Sequence, residues 1–461
     1  MAIVGAFMVP HPPMIVPAVG RGSEEQVRET TLAYFRVAEE VARLKPDTVI
    51  ITSPHSVMYA DYFHISPGRG AKGSFGQFGA PRERFSETYD TELVDRLCAL
   101  AEAENFPAGT LGERDAALDH GTMVPLWFLR QEDTDSKLVR IGLSGLPLTE
   151  HYRFGQLIAR AVEETGRRVV LVASGDLSHK LQDYGPYGFA PEGPEYDRRI
   201  MDVMGRAAFG ELFDFDEVFC DRAAECGHRS FVILAGAFDG LSVTATVLSH
   251  EDVTGVGYGI ATFYPGEADE GRYFLKDYQE RKERELREKA EQSDAYVKLA
   301  RASVESWVLR HEALPVPDGL PEEMLSRRAG TFVSLHKDGR LRGCIGTILA
   351  TRDNIAEEIL GNAISACSRD PRFSPVRPDE LASLEITVDV LGDLEPIDSP
   401  DELDVKRYGV VVSHGRKTGL LLPNLDGVDT VEEQIRIARQ KGGIRESEPY
   451  SLERFEVVRH Y

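Results

Sequence analysis

An apolar run, an amphipathic helical segment and a second apolar run fill the first 55 residues, and this order constrains the fold most. The run "AIVGAFMVP" precedes "SEEQVRETTLAYFRVAEEVARL" and then "TVIITSPHS". A strand, a helix and a strand in succession favour two parallel strands joined by a crossover helix. The spacing of Ser23 and Gln26 is that of a capping box, which predicts that the helix begins there.

Three later runs, "RRVVLVASGDLSH", "LSVTATVLSHE" and "GYGIATFYP", add strands to this pattern. Their order predicts an α/β domain in which an open, mixed sheet carries helices on both faces. After residue 285 the pattern changes to a hairpin, a helix, several strands and a further helix, which is typical of a smaller α+β domain. The sequence therefore predicts two domains of different class.

A charged segment separates the two patterns. The stretch "GEADEGRYFLKDYQERKERELREKAEQ" interleaves acidic and basic residues at helical spacing, as in a solvated connecting helix. We predict a first domain over residues 1–268, a charged linker helix over 269–284 and a second domain over 285–461.

Composition restricts the partners and the compartment. The formal net charge of −23 argues against a nucleic-acid partner, since phosphate contacts need clustered lysine and arginine. The five cysteines are scattered and odd in number, which favours free thiols in a reducing cytoplasm. No apolar run approaches 18 residues, so no membrane-spanning helix is predicted.

Histidines follow three of the predicted strands. His11 follows the first, His55 the second and His179 the run "VVLVASGDLS", while His120 precedes a predicted helix. Ligands bind beyond the carboxyl ends of the strands in open α/β sheets, so these imidazoles are expected to converge. With the carboxylate of Glu225, two of them would form the facial set that non-haem Fe(II) prefers and that Zn(II) or Mn(II) also accepts. Spacing alone does not choose among these metals.

These motifs carry a family resemblance. "PHPP", "SPHS", "DHG", "SGDLSH" and "ECGHRS", in this order over residues 1–265, resemble the class III extradiol ring-cleavage dioxygenase superfamily, including its Memo-like branch. The resemblance implies iron ligands at His11, His55 and Glu225. It also implies an acid/base at His179 and a second polar group facing the substrate at His120.

Two positions of this set stay open. Memo-like proteins have a Cys-Gly pair near the third ligand, and "ECG" offers both Glu225 and Cys226. A hard carboxylate suits Fe(II) and O₂, so Glu225 is the preferred ligand and Cys226 the alternative. Asp176 either orients His179 from behind or caps a turn.

The second domain is similar to the AMMECR family. "LRGCIGTI", "RDPRFSPV", "YGVVVSHGRKTGLLLPNL" and "QIRIARQKGG" match in order over residues 285–461. Arg342, Cys344 and Arg372 are its candidate site residues. Cys344 is either a nucleophile or ligand or a buried thiol of the hairpin, and Arg372 either binds an anion or pairs with Asp370.

Two functions follow from these resemblances. The first is a non-haem Fe(II)-dependent dioxygenase that acts on a catechol-like aromatic substrate with O₂, assisted by an accessory AMMECR-like domain. The alternative is a metal-binding redox or protein-interaction module, with zinc or copper, in a system of Memo-like, AMMECR and radical SAM proteins. Cys226 and the AMMECR fusion favour the alternative, whereas Glu225, His120 and His179 favour the enzyme.

Overall fold

A computed structural model describes residues 3–113, 116–133, 135–337, 339–425 and 427–461. The chain forms two compact units, Met1–Gln279 and Glu280–Tyr461. The division falls inside the charged helix Phe274–Gln292, which is longer than the predicted linker helix.

The first unit is a mixed α/β structure, as predicted. Its strands are β1 (Ile3–Val9), β2 (Thr48–Ser53), β3 (Phe63–His64), β4 (Gly70–Phe75), β5 (Ala80–Thr88), β6 (Ala108–Gly109), β7 (Lys137–Gly142), β8 (Val169–Ser174), β9 (Leu241–Glu251) and β10 (Tyr258–Ala268). Six of them form one sheet in the order β7-β2-β8-β1-β10-β9. The first four strands of this order are parallel, and β10 and β9 extend the sheet antiparallel.

Helices cover both faces of this sheet. The helices up to the unit boundary are α1 (Pro17–Gly20), α2 (Arg28–Leu44), α3 (Thr91–Ala103), α4 (His120–Leu129), α5 (Leu148–Thr165), α6 (Glu192–Gly205), α7 (Glu217–Ala223) and α8 (His228–Gly236), and α9 (Phe274–Gln292) spans the boundary. Short 3₁₀ helices span Pro13–Ile15, Ser23–Val27, Gly76–Phe78, Phe209–Asp214 and Glu270–Arg272.

The alternation of side chains along the strands divides the apolar core in two. In β1, Ala6 and Met8 belong to one core, whereas Phe7 and Val9 belong to the other, as the period of two requires. Helices α3, α5, α6 and α8 contribute to the first core, and α2 and α4 to the second. Burial on both faces explains why these strands are continuous apolar runs.

The predicted start of α2 is wrong. Ser23 begins a 3₁₀ helix, α2 begins at Arg28, and the Ser23 hydroxyl donates to Gly20 O at 2.6 Å instead of capping the helix. Ser23 follows Gly22, whose φ of 106° only glycine adopts readily, so the turn before the helix sets the geometry here.

The site is located by the order of the parallel strands. Strand β8 lies between β2 and β1, so the carboxyl ends of all three strands meet at one edge. The segments that follow them carry His11, His55 and His179. The β4–β5 hairpin pairs outside the main sheet and lies against the start of α4, where Leu118 N donates to Lys72 O at 3.0 Å.

The second unit is the predicted α+β structure. Its elements are α10 (Ala295–Arg310), α11 (Glu322–Ser326), β11 (Thr331–Lys337), β12 (Arg340–Gly346), α12 (Ile355–Ser368), β13 (Leu384–Leu391), β14 (Glu395–Ile397), β15 (Tyr408–His414), β16 (Lys417–Leu421), α13 (Val431–Lys441) and β17 (Ser451–His460), with 3₁₀ helices at Pro378–Ser383 and Pro400–Glu402. The antiparallel sheet has the order β12-β11-β13-β17-β15-β16, and β14 pairs with β17.

In neither unit does a helix of the described residues have both the length and the apolar character that crossing a membrane requires.

Candidate metal centre

His11 is held rigidly at the end of β1. It lies between Pro10 and Pro12, its side chain is almost fully buried, and its backbone N–H donates to Asp176 Oδ1 at 2.7 Å. The fixed φ of each proline stiffens the chain on both sides of the imidazole. The backbone therefore fixes where the ring can lie.

Two further imidazoles surround His11. Nε2 of His55 lies 3.0 Å from Nε2 of His11, and the His120 ring centroid lies 4.0 Å from that of His55. His120 is the first residue of α4, whose start is capped by Asp119 accepting from Thr122 N at 3.0 Å. The predicted convergence of His11, His55 and His120 is present in the structure.

A serine fixes the tautomer of His11. The Ser174 hydroxyl donates to Gly121 O at 2.6 Å and lies 2.9 Å from Nδ1 of His11. A hydroxyl has one proton, so Ser174 must accept the Nδ1 proton of His11. The lone pair of His11 is then on Nε2, the atom that faces His55 and Cys226.

Cys226 lies next to the histidines. Its Sγ is 3.6 Å from Nε2 of His11 and accepts from Asp176 N at 3.3 Å. This proximity depends on two glycines, because a Cβ at Gly175 would clash with the Cα of Gly227. The glycines of "SGD" and "CGH" thus let the two loops approach closely.

Glu225, the preferred third ligand, lies elsewhere. Its half-buried carboxyl group accepts from His228 N at 2.6 Å, at the start of α8, and desolvation raises its pKa to about 7. Among the described residues, the groups of three donor atoms that lie within 4.8 Å of one another include Cys226 and exclude Glu225. The free N–H groups at the first turn of α8 need an acceptor, and Glu225 supplies it.

Asp176 and His179 lie next to Cys226. Nε2 of His179 lies 3.9 Å from Oδ2 of Asp176, and the two residues form a second donor group with Cys226. The ring of Tyr187 stacks on His179 with centroids 5.0 Å apart. Asp176 therefore contacts both His11 and His179, which goes beyond the capping of a turn.

Burial keeps the imidazoles neutral. It lowers the pKa of His11 well below its usual value, with His55 adding to the effect, and it lowers that of His120 to about 3. Burial also lowers the pKa of His179, although Asp176 opposes this shift. Neutral rings present nitrogen lone pairs, which binding a cation requires.

The two donor separations that involve His11 fit one metal ion. Metal–ligand bonds measure about 2.0–2.1 Å to nitrogen and about 2.3 Å to sulfur. If the angle at the metal lies between a right angle and the tetrahedral angle, two nitrogen ligands are separated by about 2.9–3.4 Å, and a nitrogen and a sulfur ligand by about 3.1–3.6 Å. The observed 3.0 and 3.6 Å lie in these ranges. Burial raises the pKa of the Cys226 thiol, and a bound cation would reverse this shift.

In the second unit, Arg342 holds a neighbouring loop. Its Nε and Nη2 donate to the Glu380 carboxylate at 3.0 and 2.9 Å, and its Nη1 donates to Ser374 O at 2.9 Å. The guanidinium is thus engaged within its own unit, which favours a structural role.

Cys344 lies on β12, at one end of the sheet order. Its N–H donates to Asp370 Oδ2 at 2.9 Å, and its carbonyl accepts from Arg372 Nη2 at 3.1 Å. Arg372 also pairs with Asp370 at 2.7 Å and holds the pKa of that carboxyl well below its usual value. Loop 370–372 thereby covers the backbone of an edge strand, and the thiol accepts from the Ser334 hydroxyl at 3.2 Å. This geometry favours the Arg–Asp pair over an anion site.

Neither Ser174 nor Tyr187 is among the site residues predicted from the sequence. Ser174 is the polar last residue of the buried strand "VVLVAS", directly before Gly175 and Asp176, and this position is a usable signal. Tyr187 lies in the loop between β8 and α6, and the sequence around it carries no comparable signal.

Two protein-family models match this chain, one in each of its two compact units. The model for the catalytic LigB subunit of aromatic ring-opening dioxygenase matches residues 5–261, and the AMMECR1 model matches residues 297–460. Protein CA_C1420 of Clostridium acetobutylicum is 41% identical over all of this chain and 99% of its own length. A Thermotoga maritima protein is 51% identical over 36% of this chain and 96% of its own length.

Among solved structures, an uncharacterized protein, PH0010 of Pyrococcus horikoshii, is 28% identical, with a TM-score of 0.34, over 37% of this chain and 91% of its own. The extent of the two family matches decides the assignment. The chain belongs, over residues 5–261, to the family of the catalytic LigB subunit of aromatic ring-opening dioxygenases, in the class III extradiol superfamily, and joins it to an AMMECR1 domain.

Proposed function

We propose that the first unit is a metal-dependent oxidoreductase whose metal is held by His11, His55 and Cys226. The position of Cys226 carries this proposal: Sγ lies 3.6 Å from Nε2 of His11, whereas the Glu225 carboxylate is engaged by the first turn of α8. Membership of a superfamily that typically depends on metals supports it further.

The donor set also bears on the identity of the metal. Thiolates select soft ions such as Cu(I) and also Zn(II), whereas two imidazoles with a carboxylate select Fe(II). Replacing the expected carboxylate by a thiolate therefore favours copper among the redox-active metals. A thiol ligand must stay reduced, so we assign the protein to the cytoplasm.

The side chains around this set handle protons. A bound redox-active metal would supply electron transfer to or from the substrate or O₂. His179, neutral because it is buried, accepts a proton at a ring nitrogen, and the Asp176 carboxylate stabilises the resulting imidazolium. His120 is neutral as well, and its ring lies beside that of His55 with the centroids 4.0 Å apart.

A second candidate is Fe(II)-dependent cleavage of a catechol-like ring with O₂. The Asp176–His179 pair favours it, because ring cleavage requires a group that removes a phenolic proton near neutral pH. In this function the AMMECR1 domain is accessory. For both candidate functions we propose a radical SAM enzyme as a partner protein.

Metal analysis and oxygen uptake test these two functions together. Protein purified without oxygen is assayed for bound metal, loaded with Cu(I), Zn(II) or Fe(II), and mixed with catechol in an oxygen electrode. We expect retention of copper and catechol-dependent O₂ uptake without a ring-opened product. Stoichiometric iron with a ring-opened product would favour the second candidate, and a protein that retains none of these metals would contradict both.

Replacing Ser174 with alanine is expected to weaken metal binding about 10- to 100-fold. The change removes the acceptor that fixes the His11 tautomer, and loss of such a partner typically costs this factor in affinity. Competition with a chromogenic chelator measures the dissociation constant. Ser230→Ala is the control, because Ser230 is equally buried but donates to Ser174 O. Equal affinities of the two variants would mean that the tautomer is not fixed by Ser174.

A further inference from the structure

A large cleft opens beside the histidine cluster. Its volume is about 1020 Å³, and His55 and His120 form part of its wall. The β4–β5 hairpin and the start of α4 supply much of the rest, including Lys72, Arg84 and Met123. A single benzene ring fills a cavity of about 150 Å³, so the cleft accepts a molecule several times larger than one ring.

The charge of this cleft is opposite to that of the chain. The protein has a net charge of −23, yet the lining that the described residues form includes Lys72, Arg84 and Arg140 and one acidic residue, Asp119. Arg140 is buried and engaged by Glu113 at 3.4 Å and by Asp119 at 4.0 Å. Lys72 and Arg84 are exposed. A local reversal of charge at a concave surface attracts an anion.

The two exposed cations are neighbours on the hairpin. In the β4–β5 ladder, Lys72 pairs with Ser86 and Arg84 with Ser74, so Lys72 and Arg84 are diagonal neighbours on one face of the hairpin. Such neighbours lie about 7–8 Å apart, within reach of one doubly charged group. The bond from Leu118 N to Lys72 O ties this position to the segment that leads into His120.

Part of the remaining wall is apolar and aromatic. Phe78, Phe85 and Leu118 line the cleft, and the Phe78 ring centroid lies 5.5 Å from that of His120. A ligand with an apolar body and an anionic end would place its body against these side chains and its charge at the hairpin.

We infer that this cleft binds an organic dianion larger than a single aromatic ring, with its charged group, a phosphate monoester or a pair of carboxylates, held by Lys72 and Arg84. The inference rests on the proposed function only in taking this ligand as the substrate of the adjacent metal centre. Binding of the anion itself requires neither the metal nor a redox step.

Fluorescence titration of the full chain at low salt tests the inference. The probes are 1-naphthyl phosphate, naphthalene-2,3-dicarboxylate and neutral 1-naphthol. The variants are Lys72→Gln/Arg84→Gln and, as the matched control, Arg69→Gln/Arg82→Gln, which removes two exposed charges from the same hairpin region outside the cleft. Metal content is measured on every sample.

We expect at least one dianion to bind about tenfold more tightly than 1-naphthol, and the dianion that binds identifies the charged group. The Lys72/Arg84 variant should lose about tenfold in this affinity, and the control less than threefold. Equal losses in both variants, or no preference for either dianion over naphthol, would overturn the inference. The ring of His11 is buried and outside the cleft lining, so the dianion affinity of His11→Ala should lie within threefold of that of the wild type. A failure of the metal proposal is thereby distinguished from a failure of the anion inference.

Discussion

Replacing His11 with alanine is expected to lower bound metal from about one equivalent to less than a tenth of one, while the fold is retained. Removing one of three donors takes away a large part of the coordination energy. The scaffold is preformed, because the elements around the site are joined by hydrogen bonds such as that from Ser174 in β8 to Gly121 O in α4. Elemental analysis gives the metal content, and circular dichroism and thermal unfolding give the state of the fold. His55→Ala should behave in the same way.

His250→Gln is the control for this experiment. His250 is a half-buried histidine of the same unit that pairs with Asp197 at 2.9 Å, and glutamine keeps a donor toward that carboxylate. This variant should retain its metal. If His11→Ala and His55→Ala both keep a full equivalent, the metal is bound elsewhere in the chain.

Replacing His179 with glutamine is expected to reduce catechol-dependent oxygen uptake by roughly 10²- to 10⁴-fold, the usual range for loss of a general acid or base. Glutamine keeps the polarity of the side chain but cannot take up a proton. His179 belongs with Asp176 to the second donor group, which shares only Cys226 with the proposed ligand set, so the proposal requires that metal content remain near one equivalent. Initial rates at saturating catechol and elemental analysis of the same sample measure both quantities.

Tyr187→Phe serves as the control, because it retains the ring that stacks on His179 and removes only the hydroxyl. Its rate should lie within about threefold of the wild type. Loss of metal from His179→Gln would identify His179 as a ligand, and an unchanged rate would remove it from proton transfer.

The position of the histidines was predictable because it depends on topology. Strand, helix and strand in succession give parallel neighbours, and the carboxyl ends of β1, β2 and β8 then meet at one edge. The two-sided burial of these strands is also visible in the sequence as continuous apolar runs. Both features follow from the period of side chains and the handedness of crossovers.

The choice between Glu225 and Cys226 was not predictable, because adjacent residues in a turn point in different directions. The turn is set by contacts distant in sequence: Gly227 packs against Gly175, and the first turn of α8 takes Glu225 as its acceptor. The preference of a hard metal for a carboxylate does not take into account that the first turn of α8 needs Glu225 as a hydrogen-bond acceptor. In the same way, the capping box at Ser23 was a valid local pattern that the turn at Gly22 overrode.

The cationic side of the cleft had no sequence signal either. Lys72 and Arg84 lie on a hairpin outside the main sheet, and only its packing against α4 brings them to the histidines. Charged residues on a short hairpin are ordinarily solvated, so nothing near them in the sequence distinguishes this pair.

The metal content of Cys226→Ser and Glu225→Gln, prepared side by side without oxygen, distinguishes a thiolate from a carboxylate as the third ligand. Glutamine at position 225 still accepts from the backbone of α8, so its effect on the fold should be small. We predict that Glu225→Gln retains about one equivalent of metal and that Cys226→Ser retains less than about a fifth of one. Retention of metal by Cys226→Ser together with its loss from Glu225→Gln would contradict the thiolate site and restore the carboxylate as the third ligand.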